Sequence, residues 1–66
     1  MESEIGNKIK KFRKEKKISQ NELARRVKYL NQSQICKIEN GDRFVRVEDV
    51  RIIAAVLNVS IKQLIS

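Results

Sequence analysis

The sequence predicts an all-α fold, a compact domain of five short helices. Apolar residues recur at helical spacing along most of the chain, and the β-branched residues show none of the sustained alternation that is typical of strands. The chain contains no proline and only two glycines, so few residues interrupt a helix. Serine or asparagine stands just before several of the apolar segments, where helix N-caps are expected.

The first two helices are predicted over residues 4–16 and 20–27. Ser3 is the expected N-cap of helix 1, whose apolar stripe at i, i+4 and i+7 consists of Ile5, Ile9 and Phe12. Helix 2 begins at a capping box, in which Ser19 accepts from the backbone three residues on and Glu22 reaches back to the Ser19 N–H. Ile18 is placed to pack on the apolar face of this helix as a hydrophobic staple, and that face is formed by Leu23, Ala24 and Val27.

The third helix is predicted over residues 32–40. Asn31 is its expected N-cap, and Ile35 and Ile38 are its expected buried residues. Gly41 ends the helix because glycine readily adopts the left-handed conformation at that position.

A loop over residues 42–46 leads to the fourth helix, which lacks an obvious side-chain N-cap. Phe44 in this loop is interpreted either as a cover on the core or as part of a subunit contact. The apolar repeat of helix 4 consists of Val47, Val50, Ile53, Ala54 and Leu57. Ser60 and Gln63 form a second capping box, which opens a short helix 5 carrying Ile61, Leu64 and Ile65.

Size and composition exclude several classes of protein. With 66 residues we expect a single domain over 1–66, with a thin stability margin that calls for an efficient core or a partner subunit. One cysteine and no histidine exclude an intrachain disulfide, an ordinary zinc site and histidine catalysis. No nucleophile motif or glycine-rich phosphate loop is present, so we expect no enzyme activity and no cofactor. The charged first ten residues and the lack of a long apolar run predict a cytoplasmic protein.

The positive charge predicts a polyanionic partner or a solvated surface. The chain carries 15 Lys and Arg against 8 Asp and Glu, a net charge of +7, with the excess concentrated between Lys8 and Lys28. Nucleic acid is the simplest such partner. A basic helix on an anionic membrane is the weaker interpretation, because the segment lacks tryptophan and its apolar stripe is narrow.

Helix 2, a short turn and helix 3 form a candidate helix-turn-helix. In that arrangement the first residues of the second helix are free to enter a DNA major groove. The polar residues at the start of helix 3 suit base edges, since glutamine pairs with adenine, lysine donates to guanine, and serine adapts to either. These residues are Gln32, Ser33, Gln34 and Lys37. Their polarity alone is equally typical of a solvated surface.

Several strings of residues resemble the Xre/Cro/CI family of helix-turn-helix regulators. They are Ile18-Ser19-Gln20-Asn21-Glu22-Leu23-Ala24, Ile35-Cys36-Lys37-Ile38-Glu39-Asn40-Gly41 and Leu57-Asn58-Val59-Ser60, and the resemblance runs from about Ile5 to Ile65. The resemblance implies a lambda-repressor-like five-helix domain with the helix-turn-helix formed by helices 2 and 3. It also implies a transcriptional regulator that binds operator DNA as a dimer.

The resemblance also implies roles for individual residues. The recognition helix is 32–40, with Gln32, Ser33 and Lys37 at base-reading positions. DNA backbone contacts are implied for Ser19, Gln20, Asn31, Asn40 and Arg43. Arg13 and Glu39 match a structural ion pair that joins helix 1 to the end of helix 3. The turn is one residue longer than is usual in the family and has Lys28 and Tyr29 where glycine is common, so Asn31 or Gln34 is an alternative for one of the base-reading positions.

A homodimer is expected from a spare apolar pair on helix 4. Ile52 and Val56 lie off the predicted core stripe, and with Ile61 and Ile65 they form the expected dimer interface.

Among the remaining residues, Cys36 is interpreted as a small packing residue, and Arg25 and Arg26 as a solvated surface. Tyr29 either only packs its ring or also points its hydroxyl at a phosphate.

The resulting prediction is a sequence-specific DNA-binding transcriptional regulator, most simply a repressor that binds an inverted-repeat operator. The expected partners are double-stranded DNA and a second copy of the chain, with no membrane and no small-molecule ligand. The alternative is an adaptor or antitoxin of the same fold that binds another regulator or a toxin. RNA binding ranks third, because RNA readers usually offer aromatic stacking surfaces and only 5% of these residues are aromatic. A phage-type repressor, a restriction–modification controller and an antitoxin are not distinguished.

Overall fold

A computed structural model describes residues 4–65, which form α-helices joined by short links and contain no strand. The helices are α1 (Glu4–Glu15), α2 (Gln20–Val27), α3 (Gln32–Asn40), α4 (Val47–Leu57) and α5 (Ile61–Ile65). The predicted all-α fold is confirmed. Helix 1 ends one residue earlier than predicted, and the chain turns at Lys17, which has a φ of 59°. The predicted N-cap Ser3 lies outside the described residues. None of the helices in this part of the chain is long and apolar enough to cross a membrane.

All five helices contribute to one core. The pair α1 and α2 packs on α3, while α4 and α5 close the other side. The largest fully buried side chains are Ile9, Leu23, Ile35, Ile38, Ile53, Leu57 and Leu64. Val47 shares the apolar repeat of α4 but is 64% exposed. It lies on the same side of α4 as the buried Ala54, seven residues on, and is exposed because it is the first residue of the helix, at the edge of the core.

Gly6 allows α1 to lie directly against the C-terminal turn of α3. A Cβ atom at this position would stand 2.3 Å from the carbonyl oxygen of Ile38 and 2.8 Å from that of Glu39. Both neighbours are backbone atoms, so no side-chain rotation relieves the clash. The close crossing of the two helices therefore depends on glycine, and it brings Arg13 within reach of Glu39.

Arg13 and Glu39 form a buried, bidentate ion pair between α1 and α3. Arg13 Nε lies 2.7 Å from Glu39 Oε2 and Nη2 lies 3.1 Å from Oε1, with the two residues 7% and 2% exposed. Arg13 Nη1 also donates to the carbonyl of Ile18 at 2.7 Å, and Gln20 Nε2 donates to Glu39 Oε1 at 3.0 Å. Among the described residues no buried side-chain nitrogen or oxygen lacks a hydrogen-bond partner. The network thus ties α1, α3 and the start of α2 together.

The N-terminal caps follow the predicted residues with one difference. Ser60 and Gln63 form the complete capping box before α5. Ser19 Oγ accepts from the Glu22 N–H at 3.0 Å, but the reciprocal half of that box is absent. The Glu22 carboxylate instead pairs with Arg25 at 3.1 Å and Arg26 at 2.9 Å, because two cations one helical turn away attract it more strongly than one backbone N–H.

Tyr29 joins the turn after α2 to the start of α4. Its hydroxyl donates to Asp49 Oδ1, and Asp49 Oδ2 accepts from the Arg46 N–H at 3.0 Å. The hydroxyl is therefore engaged within the protein and is not directed at a phosphate. Asp49 also satisfies the backbone where α4 begins, since Arg46 at the N-cap position provides no side-chain cap.

The Tyr29–Asp49 hydrogen bond shifts the pKa of both groups. Partial burial, reinforced by the bond to Asp49, raises the pKa of Tyr29 to about 12. Burial opposes ionisation of Asp49, but the hydrogen bonds from Tyr29 and from the Arg46 N–H outweigh it and hold the pKa of Asp49 below its ordinary value. The bond is thus strongest with Tyr29 protonated and Asp49 ionised.

The ion pair predicts a large loss of stability for Glu39→Gln. This change keeps the shape of the side chain but leaves the Arg13 guanidinium buried without a counter-charge, which costs about 3–5 kcal/mol. A domain of this size has a total stability of only a few kcal/mol, so urea unfolding followed by circular dichroism should show a largely unfolded variant. The matched control is Glu22→Gln, which removes an exposed pair worth about 0.2–1 kcal/mol. Equal effects of the two changes would contradict the importance assigned to the buried pair.

Tyr29→Phe is predicted to remove a pH-dependent part of the stability. The folded-state pKa of Tyr29 lies above its unfolded value, so the bond stabilises the fold fully below pH about 10 and less as the pH rises toward about 12. Urea midpoints of wild type and variant should therefore differ at pH 8 and converge toward pH 12. The pKa of Asp49 is lowered in the fold, so the same difference should also shrink in acid, as Asp49 is protonated. A difference that stays constant at all pH values would refute the hydrogen bond.

Candidate nucleic-acid interface

The start of α3 is fixed by a capping box between Asn31 and Gln34. Asn31 Oδ1 accepts from the Gln34 N–H and Gln34 Oε1 accepts from the Asn31 N–H, both at 2.8 Å. Asn31 is the expected N-cap, whereas the role of Gln34 was missed. The spacing Asn-x-x-Gln is that of a capping box and could have predicted this role of Gln34. The box holds the side-chain oxygens of both alternative base-reading residues against the backbone.

The other predicted recognition residues lie together on one exposed side of α3. Ser33, Lys37 and Asn40 stand at i, i+4 and i+7 and are exposed, and exposed Gln32 lies beside them at the helix start. We call these four residues the recognition face. Within residues 4–65, no hydrogen bond engages the side chain of Gln32, Ser33 or Lys37. Their donors and acceptors are therefore available to a ligand.

Cys36 borders the recognition face as a free, partly buried thiol. The Asn40 side-chain amide donates to its sulfur at 3.5 Å. The opposite side of α3 is buried and carries Ile35, Ile38 and Glu39. Cys36 thus lies at the boundary between core and surface and contacts Asn40, a predicted DNA backbone residue.

The N-terminus of α2 brings Ser19 and Gln20 close to the end of α3. Ser19 is exposed and caps α2, while Gln20 is partly buried with its amide nitrogen on Glu39. The first N–H groups of a helix lack partners inside the helix and favour anions. The Gln20–Glu39 bond was missed by sequence reasoning, which paired Glu39 with Arg13 alone.

The surface cations divide into paired and unpaired groups. Arg25 and Arg26 are both held by Glu22 on the exposed side of α2, as expected for a solvated surface. Lys37, Arg43 and Arg46 are exposed, and no carboxylate in the described part of the chain lies within ion-pair distance of them. Arg46 and Arg43 are near enough to Asp49 to help hold its pKa down. These three cations lie on α3 and on the loop that follows it, and the exposed lysines of α1, such as Lys11 and Lys14, are likewise outside any ion pair among the described residues.

The residues predicted for the dimer interface lie on two surfaces. Ile61 and Ile65 line an apolar groove, whose other lining residues are Ile5, Val45, Val47 and Val50. Ile52 is 37% exposed and Val56 is partly buried against the core, and neither lines the groove. The rotation between Val47 and Ile52 is about 140°, which separates them around α4. The groove was missed because its residues come from three separate segments.

Phe44 does not cover the core. It is 98% exposed in the loop between α3 and α4, and of the two interpretations offered by the sequence this excludes the first. Its neighbour Val45 is the loop residue that packs against the core.

In residues 4–65 no three His, Cys, Asp or Glu side chains are grouped as a metal site requires.

Comparison with known proteins places this geometry in a family. A helix-turn-helix family model, HTH_3, matches residues 9–64. The restriction-modification controller protein C.AhdI from Aeromonas hydrophila superposes with a TM-score of 0.86 at 26% identity, covering 92% of this chain and 91% of that chain. SinR, the master regulator for biofilm formation, whose structure was solved in complex with DNA, superposes with a TM-score of 0.83 at 35% identity, covering 94% and 98%. No curated protein matches the sequence significantly.

The family model includes all of α2, α3 and α4, and both structural matches extend over nine-tenths of the chain. The predicted resemblance is therefore confirmed, and the chain belongs to the Xre/Cro/CI-type helix-turn-helix family of transcriptional regulators.

Proposed function

We propose that this protein is a sequence-specific DNA-binding transcriptional repressor that binds an inverted-repeat operator as a homodimer. The observation that carries the proposal is the recognition face, four exposed polar residues on a capped helix whose other side is buried. A B-DNA major groove is about 12 Å wide and admits one such helix. Lys37 on this face and Arg43 and Arg46 in the next loop are exposed cations outside any ion pair of residues 4–65, as a polyanionic ligand requires.

Base reading is assigned to Gln32, Ser33 and Lys37. The Gln32 amide suits adenine N6 and N7, the Lys37 ammonium suits guanine O6 and N7, and the Ser33 hydroxyl serves as donor or acceptor. Gln32 and Ser33 occupy the first turn of α3, the part of a recognition helix that reaches deepest into the groove.

Phosphate contacts are assigned to residues on both sides of the recognition helix. Those before it are Ser19, Gln20 and Asn31, and those after it are Asn40 and Arg43. Ser19 and Gln20 act with the backbone N–H groups at the start of α2, which favour an anion. Because Gln20 and Arg13 share the Glu39 carboxylate, the phosphate-binding end of α2 is held at a fixed distance from α3. Phosphate contacts of this kind set the register in which the bases are read.

The homodimer is assigned to the exposed apolar surface. A two-fold interface uses the same patch on both subunits, and the groove with Ile61 and Ile65 offers a concave apolar surface for this. The alternative surface is the Ile52–Val56 side of α4. A dimer that places two copies of α3 in successive major grooves separates the half-sites by about 10 base pairs. Occupation of such a site excludes other proteins from it, which is the most direct route to repression.

Selection of binding sites from a random DNA pool tests the proposal directly. An enriched inverted repeat with half-site centres about 10 base pairs apart is expected. Failure to enrich any sequence would reject operator binding and favour an adaptor or antitoxin of the same fold.

Gln32→Ala and Arg43→Ala are predicted to have different effects on DNA binding. Loss of Gln32 should relax the preference at one base pair and cost about 1–3 kcal/mol on the operator, because a base contact is removed. Loss of Arg43 should weaken operator and scrambled DNA alike and make the slope of log K against log salt shallower by about one. Fluorescence anisotropy at four salt concentrations measures both effects. If the two variants behave identically on matched and scrambled duplexes, this division of roles is wrong.

Ile65→Lys is predicted to break the dimer and to lower operator affinity while leaving the fold intact. Ile65 is 58% exposed and lines the groove, so the lysine is solvated in the monomer but would be buried in an apolar interface in the proposed dimer. Sedimentation equilibrium and operator titration should show a monomer that still binds a single half-site. Ile52→Lys is the matched change on the other side of α4. If only Ile52→Lys dissociates the protein, the interface lies there and not in the groove, and a wild type that is already a monomer at tens of micromolar rejects both surfaces.

A further inference from the structure

Phe44 is the most exposed large hydrophobic residue in the described chain, at 98%. The next most exposed, Val47 and Ile65, are 64% and 58% exposed and line the apolar groove. Phe44 neither lines that groove nor packs on the core. One exposed apolar side chain has no meaning by itself. Whether the exposure of Phe44 reflects a function therefore depends on its position in the fold and on the residues beside it.

Both ends of the loop that carries Phe44 are fixed. Gly41 takes the left-handed conformation, with a φ of 81°, and the Asp42 N–H bonds back to the Lys37 carbonyl at 2.8 Å. At the other end, Asp49 accepts from the Arg46 N–H at 3.0 Å. Phe44 is therefore presented by a short, anchored loop that leaves directly from the end of the recognition helix.

In sequence, Phe44 lies between two exposed cations, Arg43 and Arg46. Val45 packs against the core, whereas Phe44 and both arginines are exposed. Asp42 precedes the two arginines, and Asp49 at the start of α4 is near enough to both for them to hold its pKa down, but neither arginine forms an ion pair with a carboxylate of the described chain. Both guanidinium groups are therefore available to the phosphates of a duplex.

We propose that Phe44 is an apolar DNA contact, with its ring packed against deoxyribose and an exposed base edge at the border of each half-site, between phosphates bound by Arg43 and Arg46. The inference rests on the proposed function, since it presupposes that α3 occupies the major groove. Apolar side chains contact thymine methyl groups and can wedge against base steps. Phe44 thus extends the surface read by the protein beyond the recognition face.

An apolar contact leaves a thermodynamic signature that differs from that of a phosphate contact. Phe44→Ala should weaken operator binding about tenfold, within the range known for base–aromatic contacts. The slope of log K against log salt should stay unchanged, because no counterion release is lost. Arg43→Ala gives the opposite pattern in the same titration, and Phe44→Leu should recover part of the affinity.

A direct test uses Phe44→Trp, since the chain contains no tryptophan and the variant carries a single fluorophore. The titration is made with a duplex that contains one half-site, so that dimerisation does not contribute. A blue shift of the emission and protection from acrylamide quenching are expected on DNA addition. Ala55→Trp, on the exposed side of α4, is the control and should show neither change.

The outcomes separate this inference from the proposed function. If Phe44→Trp binds the operator with unchanged emission and quenching, Phe44 does not touch DNA, although operator binding stands. If the emission shifts with protein concentration in the absence of DNA, the ring contacts a second copy and the inference is wrong. An unchanged affinity of Phe44→Ala would also overturn it. If wild type binds no DNA, both the inference and the proposed function fail.

Discussion

The ion pair between Arg13 and Glu39 sets the geometry on which the rest of the molecule depends. It joins α1 to the end of α3, and both groups are almost fully removed from water. Two buried charges are tolerable only when each is also hydrogen-bonded, and here the Ile18 carbonyl and the Gln20 amide complete the set. The fold must therefore hold four groups from four segments in one arrangement, which leaves α2 and α3 little freedom to move relative to each other.

That constraint extends from the core to the DNA-facing surface. Glu39 is buried on one side of α3, while Lys37 and Asn40, its neighbours in sequence, are exposed on the other. Gln20, at the start of α2, shares the same carboxylate. The position of the proposed base-reading residues relative to the start of α2, where phosphate contacts are proposed, is thus determined inside the protein. Such preorganisation lowers the conformational entropy that binding would otherwise cost.

The parts of the structure that depend on neighbours in sequence were predictable. Apolar spacing located the helices, and Ser19, Asn31 and Ser60 marked where three of them begin. Contacts between distant segments were not predictable in the same way. Nothing in the spacing of Tyr29 and Asp49 indicates that they meet, and the exposure of Phe44 depends on which loop residue turns inward. The site residues came from family resemblance, because residue chemistry alone left a solvated surface as an equal interpretation.

The backbone on both sides of α2 is held in locally unfavourable conformations. Lys17 just before α2 and Lys28 just after it have φ values of 59° and 82°, which disfavour every residue that carries a Cβ. Asn58, the third such position, is a residue type that tolerates the left-handed conformation. Ile18 and Leu30 each pack near one of the lysines against the core, so the strained positions are fixed by their neighbours. Strain of this kind persists only where surrounding structure over-determines it. The ion pair and the core therefore stabilise a helix-turn-helix whose turn, at Lys28, is locally unfavourable, as is the preceding link at Lys17.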